Sequence, residues 1–326
     1  MGERVTVAAS LRLNERATAI ADEMVAEADL LRVGHSRLED GARLVDCGIE
    51  APGGLEAGRR MAEICLGGAG RVSFTSVDCD GLRFPGVQVL TDHPAVACLG
   101  SQYAGWAVKP EGYFAMGSGP LRAIARVEQP LYEHLGYGEP ASGSGVLVLE
   151  SRERPSAAVA DWLAAKSGVA AERLTLLVAP TASLAGGVQI VARVVETALH
   201  KLHELGFDVT RVLAAYGTAP LPPVAKNDMR AIGRTNDSVL YGGSVALTVD
   251  ALDAELEALV PRIPSSASRD YGTPFYDLFA RYEFDFYKVD PHLFSPALVS
   301  LTNVRTGRTF EAGEMNGAVL EQSFSS

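Results

Sequence analysis

With 326 residues, 47% of them hydrophobic and 21% charged, the chain has the composition of a folded globular protein of one large or two ordinary domains, not of a disordered one. Its formal net charge of −11 argues against nucleic acid as a partner, because neutralising a phosphate backbone takes clustered Lys and Arg. No apolar run approaches the roughly 18 residues of a membrane span, and charges interrupt every early apolar run, so neither a membrane segment nor a secretory leader is expected.

In chain order, Asn14 stands ready to cap a first helix, whose Ala17, Ile20, Met24, Ala28 and Leu31 recur at three- and four-residue steps. A strand over Arg43–Cys47, a breaker at Pro52-Gly53-Gly54 and a helix through Met61 and Ile64 follow, ending at Gly67-Gly68. Strands are expected at Arg71–Val77 and Phe84–Thr91, then a small-residue helix from Pro94 toward Trp106. A Gly-rich turn at Met116–Pro120 places Pro120 as a first helical residue. Pro140–Gly145, rich in Ser, Gly and Pro, reads as the linker between a domain of residues 1–142 and one of 143–326, with the C-terminal segment free to return to the first. Beyond it come a strand Val146–Leu149, a helix Pro155–Lys166, a strand Leu174–Val178 and a long helix Ser183–Leu205. A strand Val209–Ala215, a turn-rich loop from Gly217 to Gly233, a strand pair over Ser238–Val249, an acidic helix near Leu252, an aromatic segment Phe275–Tyr287 and a hairpin at Thr306-Gly307 complete the chain. Helices and strands mix without a steady βαβ rhythm, which predicts an α+β (irregular α/β) fold of two mixed helix/strand domains. The four cysteines, Cys47, Cys65, Cys79 and Cys98, lack CxxC spacing and read as buried thiols of a reducing, cytoplasmic compartment.

The long helix carries the most informative pattern. Along an otherwise apolar segment, Gln189, Arg193, Glu196, His200 and His203 step by four, three, four and three. At about 100° per residue they form one stripe roughly 80° wide. Such a stripe faces water, a partner or a cavity. Arg193 and Glu196 read either as an ordinary surface pair worth a few tenths of a kcal/mol or as a carboxylate and guanidinium in a cleft, a combination that can hold and activate water. The β-branched Val191, Val194 and Val195 and the small residues from Thr181 to Gly187 speak for the cleft. His200-Lys201-Leu202-His203 is not HExxH and has no third ligand at a compelling spacing, so no metal site is expected.

Elsewhere, Met116-Gly117-Ser118-Gly119-Pro120 with Arg122 one turn on looks like an anion cradle or a plain tight turn; it is neither a Walker A motif nor GxGxxG. Asp92-His93 reads as a helix cap and a satisfied histidine before an acid–base pair. Gly233-Arg234-Thr235-Asn236-Asp237 and the stiff Tyr216–Val224 segment read as loops of the kind on which sites are built. No GxSxG elbow is present.

Taken together, these segments resemble the methenyltetrahydromethanopterin cyclohydrolase family. The resemblance rests on Val45-Asp46-Cys47-Gly48, Thr91-Asp92-His93-Pro94, Tyr113-Phe114-Ala115-Met116-Gly117-Ser118-Gly119-Pro120 and Val178-Ala179-Pro180-Thr181-Ala182-Ser183. It continues through Val188-Gln189-Ile190, Ala192-Arg193-Val194-Val195-Glu196-Thr197, Gly217-Thr218-Ala219-Pro220, Gly233-Arg234-Thr235-Asn236-Asp237, Leu240-Tyr241-Gly242-Gly243, Asp285-Phe286-Tyr287-Lys288 and Gly313-Glu314-Met315-Asn316. The blocks run in order from about residue 45 to 316, and the likeness is weakest before residue 12 and across 251–264.

The resemblance implies two domains enclosing a substrate pocket, a homo-oligomer (a trimer favoured), a small pterin as substrate, and no metal or redox cofactor. It also implies that Glu196 and Arg193 are catalytic. Gln189, Ser183, Asn236 and Asp237 are the expected contacts to the pterin, and Gly117, Ser118, Gly119 and Arg122 those to an anionic or glycosidic tail. Alternatives are a cyclohydrolase of a folate-type methenyl carrier, a non-catalytic pterin-binding protein, and a nucleotide-binding oxidoreductase; substrate comparison, hydrolysis and NAD(P) binding separate them.

Overall fold

The computed structural model describes residues 11–103, 105–141, 143–285 and 288–325. They divide into two compact units: the described parts of Met1–Gly70 with Ala95–Gly186, and of Arg71–Pro94 with Gly187–Ser326. The first unit opens with α1 (Leu13–Ala26), the single turn α2 (Ala28–Leu31), β1 (Gly34–Arg37), β2 (Arg43–Asp46) and α3 (Leu55–Cys65). The chain then supplies the antiparallel pair β3 (Arg71–Cys79) and β4 (Leu82–Thr91) to the second unit. It returns through a helix of the wide π type at Ala95–Gln102, where the small-residue helix was expected. β5 (Trp106–Val108), β6 (Ala115–Ser118), α4 (Leu121–Ala125), α5 (Gln129–Leu135), β7 (Gly145–Glu150), α6 (Ala157–Ser167) and β8 (Leu174–Ala179) complete the first unit.

Its sheet runs β1-β2-β8-β7-β6-β5, with β2, β8 and β7 parallel and the outer pairs antiparallel. The continuous apolar runs of β7 and β8 follow from burial on both faces. Val146, Val148 and Leu177 pack with Ala17, Ala21 and Met24 of α1 and Met61 and Ile64 of α3. Leu147, Leu149 and Leu176 turn the other way, toward Val159 and Leu163 of α6. The four cysteines are free and buried.

The second unit adds α7 (Leu184–Val191, its first residues still in the first unit), α8 (Val194–Glu204), β9 (Val212–Pro220), α9 (Asp228–Gly242) and β10 (Ser244–Val249). It ends with α10 (Asp253–Leu259), α11 (Phe275–Arg281), β11 (Leu298–Asn303), β12 (Thr309–Gly313) and α12 (Gly317–Ser325). Its sheet runs β12-β11-β10-β9-β4-β3, antiparallel except for β10 and β11. Two mixed six-stranded sheets carrying helices make the α+β class plain. Among the described residues, no helix is long and apolar enough to cross a membrane.

Five expectations need correction. The division does not fall at 142/143, because β6 and β7 flank the Pro140–Gly145 stretch and pair with each other in one sheet. A Ser/Gly/Pro run marks a turn, but strand partnership is not a local property. The segment that leaves sequence order is β3–β4, not the C-terminal one, which stays with β10. Gly233–Asp237 is mid-helix in α9 where a loop was expected, and the strand pair over 238–249 reduces to β10. Thr235, Asn236 and Ser238 fit that helix by bonding back to the Ala231, Ile232 and Arg234 carbonyls at 2.8–2.9 Å, which hides their polar character. Finally, Asn14 is not a cap: it is buried inside α1, donates to Pro120 O and accepts from Val146 N. Phe286 and Tyr287, in the aromatic segment, lie outside the described residues.

Candidate active site

Helix α8 is built to lie close on its sheet. A Cβ at Gly217 in β9 would stand 2.8 Å from Val195 Cγ2 and 3.0 Å from Val194 Cγ1, so glycine is what lets the two β-branched residues dock. The direction of the sheet as seen from α8 is therefore that of Val194 and Val195. Arg193, Glu196 and His200 lie roughly 150° or more away from it around the helix axis. The part of the polar stripe on α8, Glu196 and His200, is thus on the side of that helix away from the sheet.

That side is nevertheless not open to solvent at its start. Glu196 is 7% exposed and Gln189 1%. The surface-pair reading of Arg193 and Glu196 does not hold. Burying a carboxylate without partners is costly, so a polar group at this depth belongs to an arranged environment. The arrangement includes Arg193, whose Nη2 donates to Gln189 Oε1 at 3.0 Å. Sequence reading expected one unbroken helix from Ser183 to Leu205, but the chain steps between α7 and α8 at Ala192-Arg193. Arg193 sits at φ −80°, ψ 6°; its N–H bonds to Ile190 O at 3.0 Å, while its carbonyl accepts from Thr197 N and Thr197 Oγ1 at 2.8 and 2.9 Å. Arg193 therefore stands at a joint, in the sparsely used bridge region where active-site residues recur.

Further along the stripe, burial lowers the His200 pKa, with Glu204 opposing and His203 adding to that effect; Nε2 of His200 lies 3.9 Å from Glu204 Oε1. Lys201, on a different side of α8, is buried and donates to His292 O at 2.5 Å; burial brings its pKa down to about 8. Sequence reasoning did not single out Lys201.

The other expected contacts are placed as follows. Ser183 caps α7: its hydroxyl donates to Pro180 O at 2.7 Å and accepts from Gly186 N at 3.0 Å. Asn236 is half-buried and donates to Ile232 O. Asp237 is wholly buried, with Oδ1 accepting from Phe275 N at 2.8 Å and Oδ2 from Ser323 Oγ at 2.6 Å. Burial pushes its carboxyl up to about 7 against the lowering effect of those two bonds. Both carboxylate oxygens are engaged in joining α9 to α11 and α12.

The cradle expected at 116–122 is not a loop of free N–H groups. Met116, Gly117 and Ser118 are strand residues of β6, Gly119 N bonds to Ser101 O at 2.9 Å, and Ser118 Oγ donates to Gln102 O at 2.5 Å. Gly119 alone of these takes a left-handed φ, +125°, at the turn into α4. Arg122 is wholly buried, donating to Leu99 O at 3.2 Å, with Glu128 at 4.0 Å and the Tyr103 ring centroid at 4.9 Å.

Another residue that sequence reasoning passed over is Asp46, in the Val45–Gly48 block. Burial works against its ionisation, but N–H groups of Gly48, Ile49, Glu50 and Ala51 converge on the carboxylate at 2.7–3.2 Å and hold its pKa below the usual range. Its signal was an Asp two residues before Gly48, a turn former whose depth no local pattern reveals. At the other block, Thr91 Oγ1, not Asp92, accepts the His93 N–H at 3.0 Å.

A buried carboxylate one helical turn from a guanidinium, on the side of α8 away from its supporting sheet, is an arrangement that can hold and activate a water. The comparisons are more specific. The chain matches the family described as Cyclohydrolase (MCH) over residues 12–324, and it belongs to that family of hydrolases. It is 44% identical over 314 residues to a methenyltetrahydromethanopterin cyclohydrolase of Methanospirillum hungatei, covering 96% of this chain and 99% of that one. A protein of the same name from Methylobacterium sp. (strain 4-46) is 46% identical over 316 residues, covering 96% and 97%. The counterpart from Methanosarcina barkeri is 42% identical over 316 residues, covering 96% and 98%.

Proposed function

We propose that this enzyme reversibly hydrolyses 5,10-methenyl-tetrahydromethanopterin, or its dephospho form, to the N5-formyl carrier, with Glu196 and Arg193 as its catalytic residues. The observation that carries the reading is the burial of Glu196 beside Arg193 on the polar side of α8. The names of the full-length relatives support the substrate.

The amidinium N5–CH=N10 of the substrate is electrophilic at carbon. Glu196 takes one proton from a water as its oxygen bonds to that carbon, giving a tetrahedral adduct. The adduct's hydroxyl then becomes the formyl carbonyl as the C–N10 bond breaks, and Glu196 returns its proton to N10. The second proton of the water leaves to solvent, which balances the loss of the cationic charge. Arg193, held through Gln189, orients the carboxylate and limits any rise in its pKa. The carboxylate also stabilises the cationic transition state directly. Among the proposed pterin contacts, Gln189 is tied to the catalytic pair by its bond to Arg193, which supports its part in the site. The polar atoms of Ser183 and Asp237 are committed to the fold, which favours a supporting role for both.

The scheme needs no metal or redox cofactor. Free, buried thiols agree with a cytoplasmic setting, and the family likeness favours a homo-oligomer, a trimer before other states.

The decisive experiment follows loss of the methenyl chromophore with purified carrier. Glu196→Gln is expected to keep the melting temperature and substrate binding while turnover falls by about 10²–10⁴-fold. A near-wild-type rate in that variant removes Glu196 from the mechanism. Turnover on a folate-type methenyl carrier in preference to this one would reassign the substrate.

A further inference from the structure

Lys201 is 1% exposed, among the largest fully buried side chains of the described residues, and stands five residues after Glu196 on α8. At about 100° per residue it falls about 20° from Val194, on the sheet side of the helix, and about 140° from Glu196. Apart from Glu196, the other buried positions of α8 are apolar: Val194, Val195, Ala198, Leu199 and Leu202. An ammonium at that depth has given up its hydration, which makes it a costly filling for the space.

What receives the ammonium is firmly held. Nζ donates to a backbone carbonyl, His292 O, at 2.5 Å. That carbonyl belongs to the 3₁₀ turn Pro291–Leu293, which Asp290 caps. Asp290 Oδ1 accepts from His292 N at 3.0 Å, and Oδ2 from Ser268 Oγ at 2.7 Å and Arg269 N at 3.3 Å. Asp290 N in turn donates to Asp270 Oδ2 at 2.8 Å, and Asp270 Oδ1 accepts from the Tyr282 hydroxyl at 2.9 Å. Burial works against ionisation of Asp290, but the donors of Ser268, His292 and Arg269 keep its pKa below the usual range. The turn thus carries a negative charge that favours the Lys201 ammonium, while Arg262 opposes it.

Apolar contact sets how close α8 lies to its sheet, but it is not directional. Gly217 presents no side chain into which Val194 and Val195 could key. A hydrogen bond to a fixed carbonyl does prefer one geometry. Turning the helix by about 10° moves a group about 5–6 Å from its axis by about 1 Å, and misplacement of that size can cost about 10²-fold in rate. Methionine would fill the space of Lys201 with no ion to bury, and exchanges of that kind are often neutral or stabilising. Stability alone therefore gives no reason for a lysine here, whereas fixing the helix does.

We propose that Lys201, through its bond to His292 O, is a positioning residue that fixes the rotation of α8 and with it the place of Glu196 at the substrate carbon. This role rests on Glu196 as the group that activates water.

The test is a double-variant cycle in the full-length protein, with turnover counted per folded molecule and thermal melting followed separately. Glu196→Gln is read first, and a wild-type rate there removes the catalytic reading and the positioning role with it. Where Glu196 is needed, Lys201→Met should lower kcat by about 10–10²-fold with KM within about twofold. Its melting temperature should stand at or above that of wild type. In the Glu196→Gln background the same substitution should change turnover by less than about twofold, because the group being positioned is already gone. Effects that multiply in the double variant, or a wild-type kcat in Lys201→Met, overturn the positioning role while leaving Glu196 catalytic. A lowered melting temperature with a fully active folded fraction overturns it too, since the lysine then serves only the fold. Asp290→Ala is the second variant in case Lys201→Met does not fold. It frees the turn that bears the carbonyl, keeps the lysine, and should show the same loss of kcat at constant KM and the same non-additivity with Glu196→Gln; an unchanged kcat there overturns the role.

Discussion

Replacing Asp237 by asparagine isolates the cost of burying one carboxylate in the second unit. Asp237 is wholly buried, and burial raises its pKa from 3.8 to about 7. The Ser323 hydroxyl and the Phe275 N–H pull the other way but do not offset the desolvation, and Asp277 adds a smaller upward push. With the folded value above the unfolded one, the native state binds the proton more tightly. Its contribution to stability is complete below about pH 4 and is lost as pH rises toward about 7. A gap of about three pH units, at about 1.4 kcal/mol per unit, sets the total near 4 kcal/mol.

Asparagine has the same shape and no charge. Its Oδ1 can accept the Phe275 N–H, and its Nδ2 can donate to the Ser323 oxygen once that hydroxyl turns. Asp237→Asn should therefore match wild type within about 1 kcal/mol near pH 4 and gain progressively on it, by up to about 4 kcal/mol, by pH 8. Urea unfolding of the two proteins side by side between pH 4.5 and 8.5 reads this difference, with titrations common to both cancelling. A difference that does not change across that window would refute the reasoning, since it would mean that Asp237 carries no folding-linked proton there.

Other expectations follow from close contacts and caps. Gly217→Ala places a Cβ 2.8 Å from Val195 and should cost about 1–3 kcal/mol by lifting α8 from its sheet, seen as a lower melting temperature together with reduced turnover. Ser183→Ala removes the N-cap of α7 and should cost about 1 kcal/mol in denaturant unfolding; an unchanged KM is the outcome that separates capping from substrate contact.

The legible parts of this protein were those in which pattern and partner are local. The α8 part of the stripe, Glu196 to His203, needed only the helical repeat to be seen, and the strands β7 and β8 needed only their apolar runs, whereas the step between α7 and α8 left no local mark. The hairpin at Gly307 was equally local: a glycine at φ +72° between two alternating strands. Helix α9 was hidden for the opposite reason. Gly233, Thr235, Asn236 and Asp237 have the chemistry of a loop, and what makes them helical lies far along the chain. Tyr276 packs where a Cβ on Gly233 would stand, at 2.7 Å, and Phe275 and Ser323 engage the Asp237 carboxylate.

The sequence by itself determined that Arg193 and Glu196 share one side of a helix, because 3.6 residues per turn is a property of the backbone alone. It also determined the mixing of helices and strands and the turn positions where glycine carries a left-handed φ. Only the tertiary structure decided that Glu196 is buried, that the polar atoms of Asp237 and Ser183 bond within the fold, and that β4 pairs with β9 across more than a hundred residues of chain. Burial and strand partnership depend on which distant segment arrives beside a residue. Desolvation and hydrogen-bond completion, which decide what a polar side chain can do, are fixed only at that encounter.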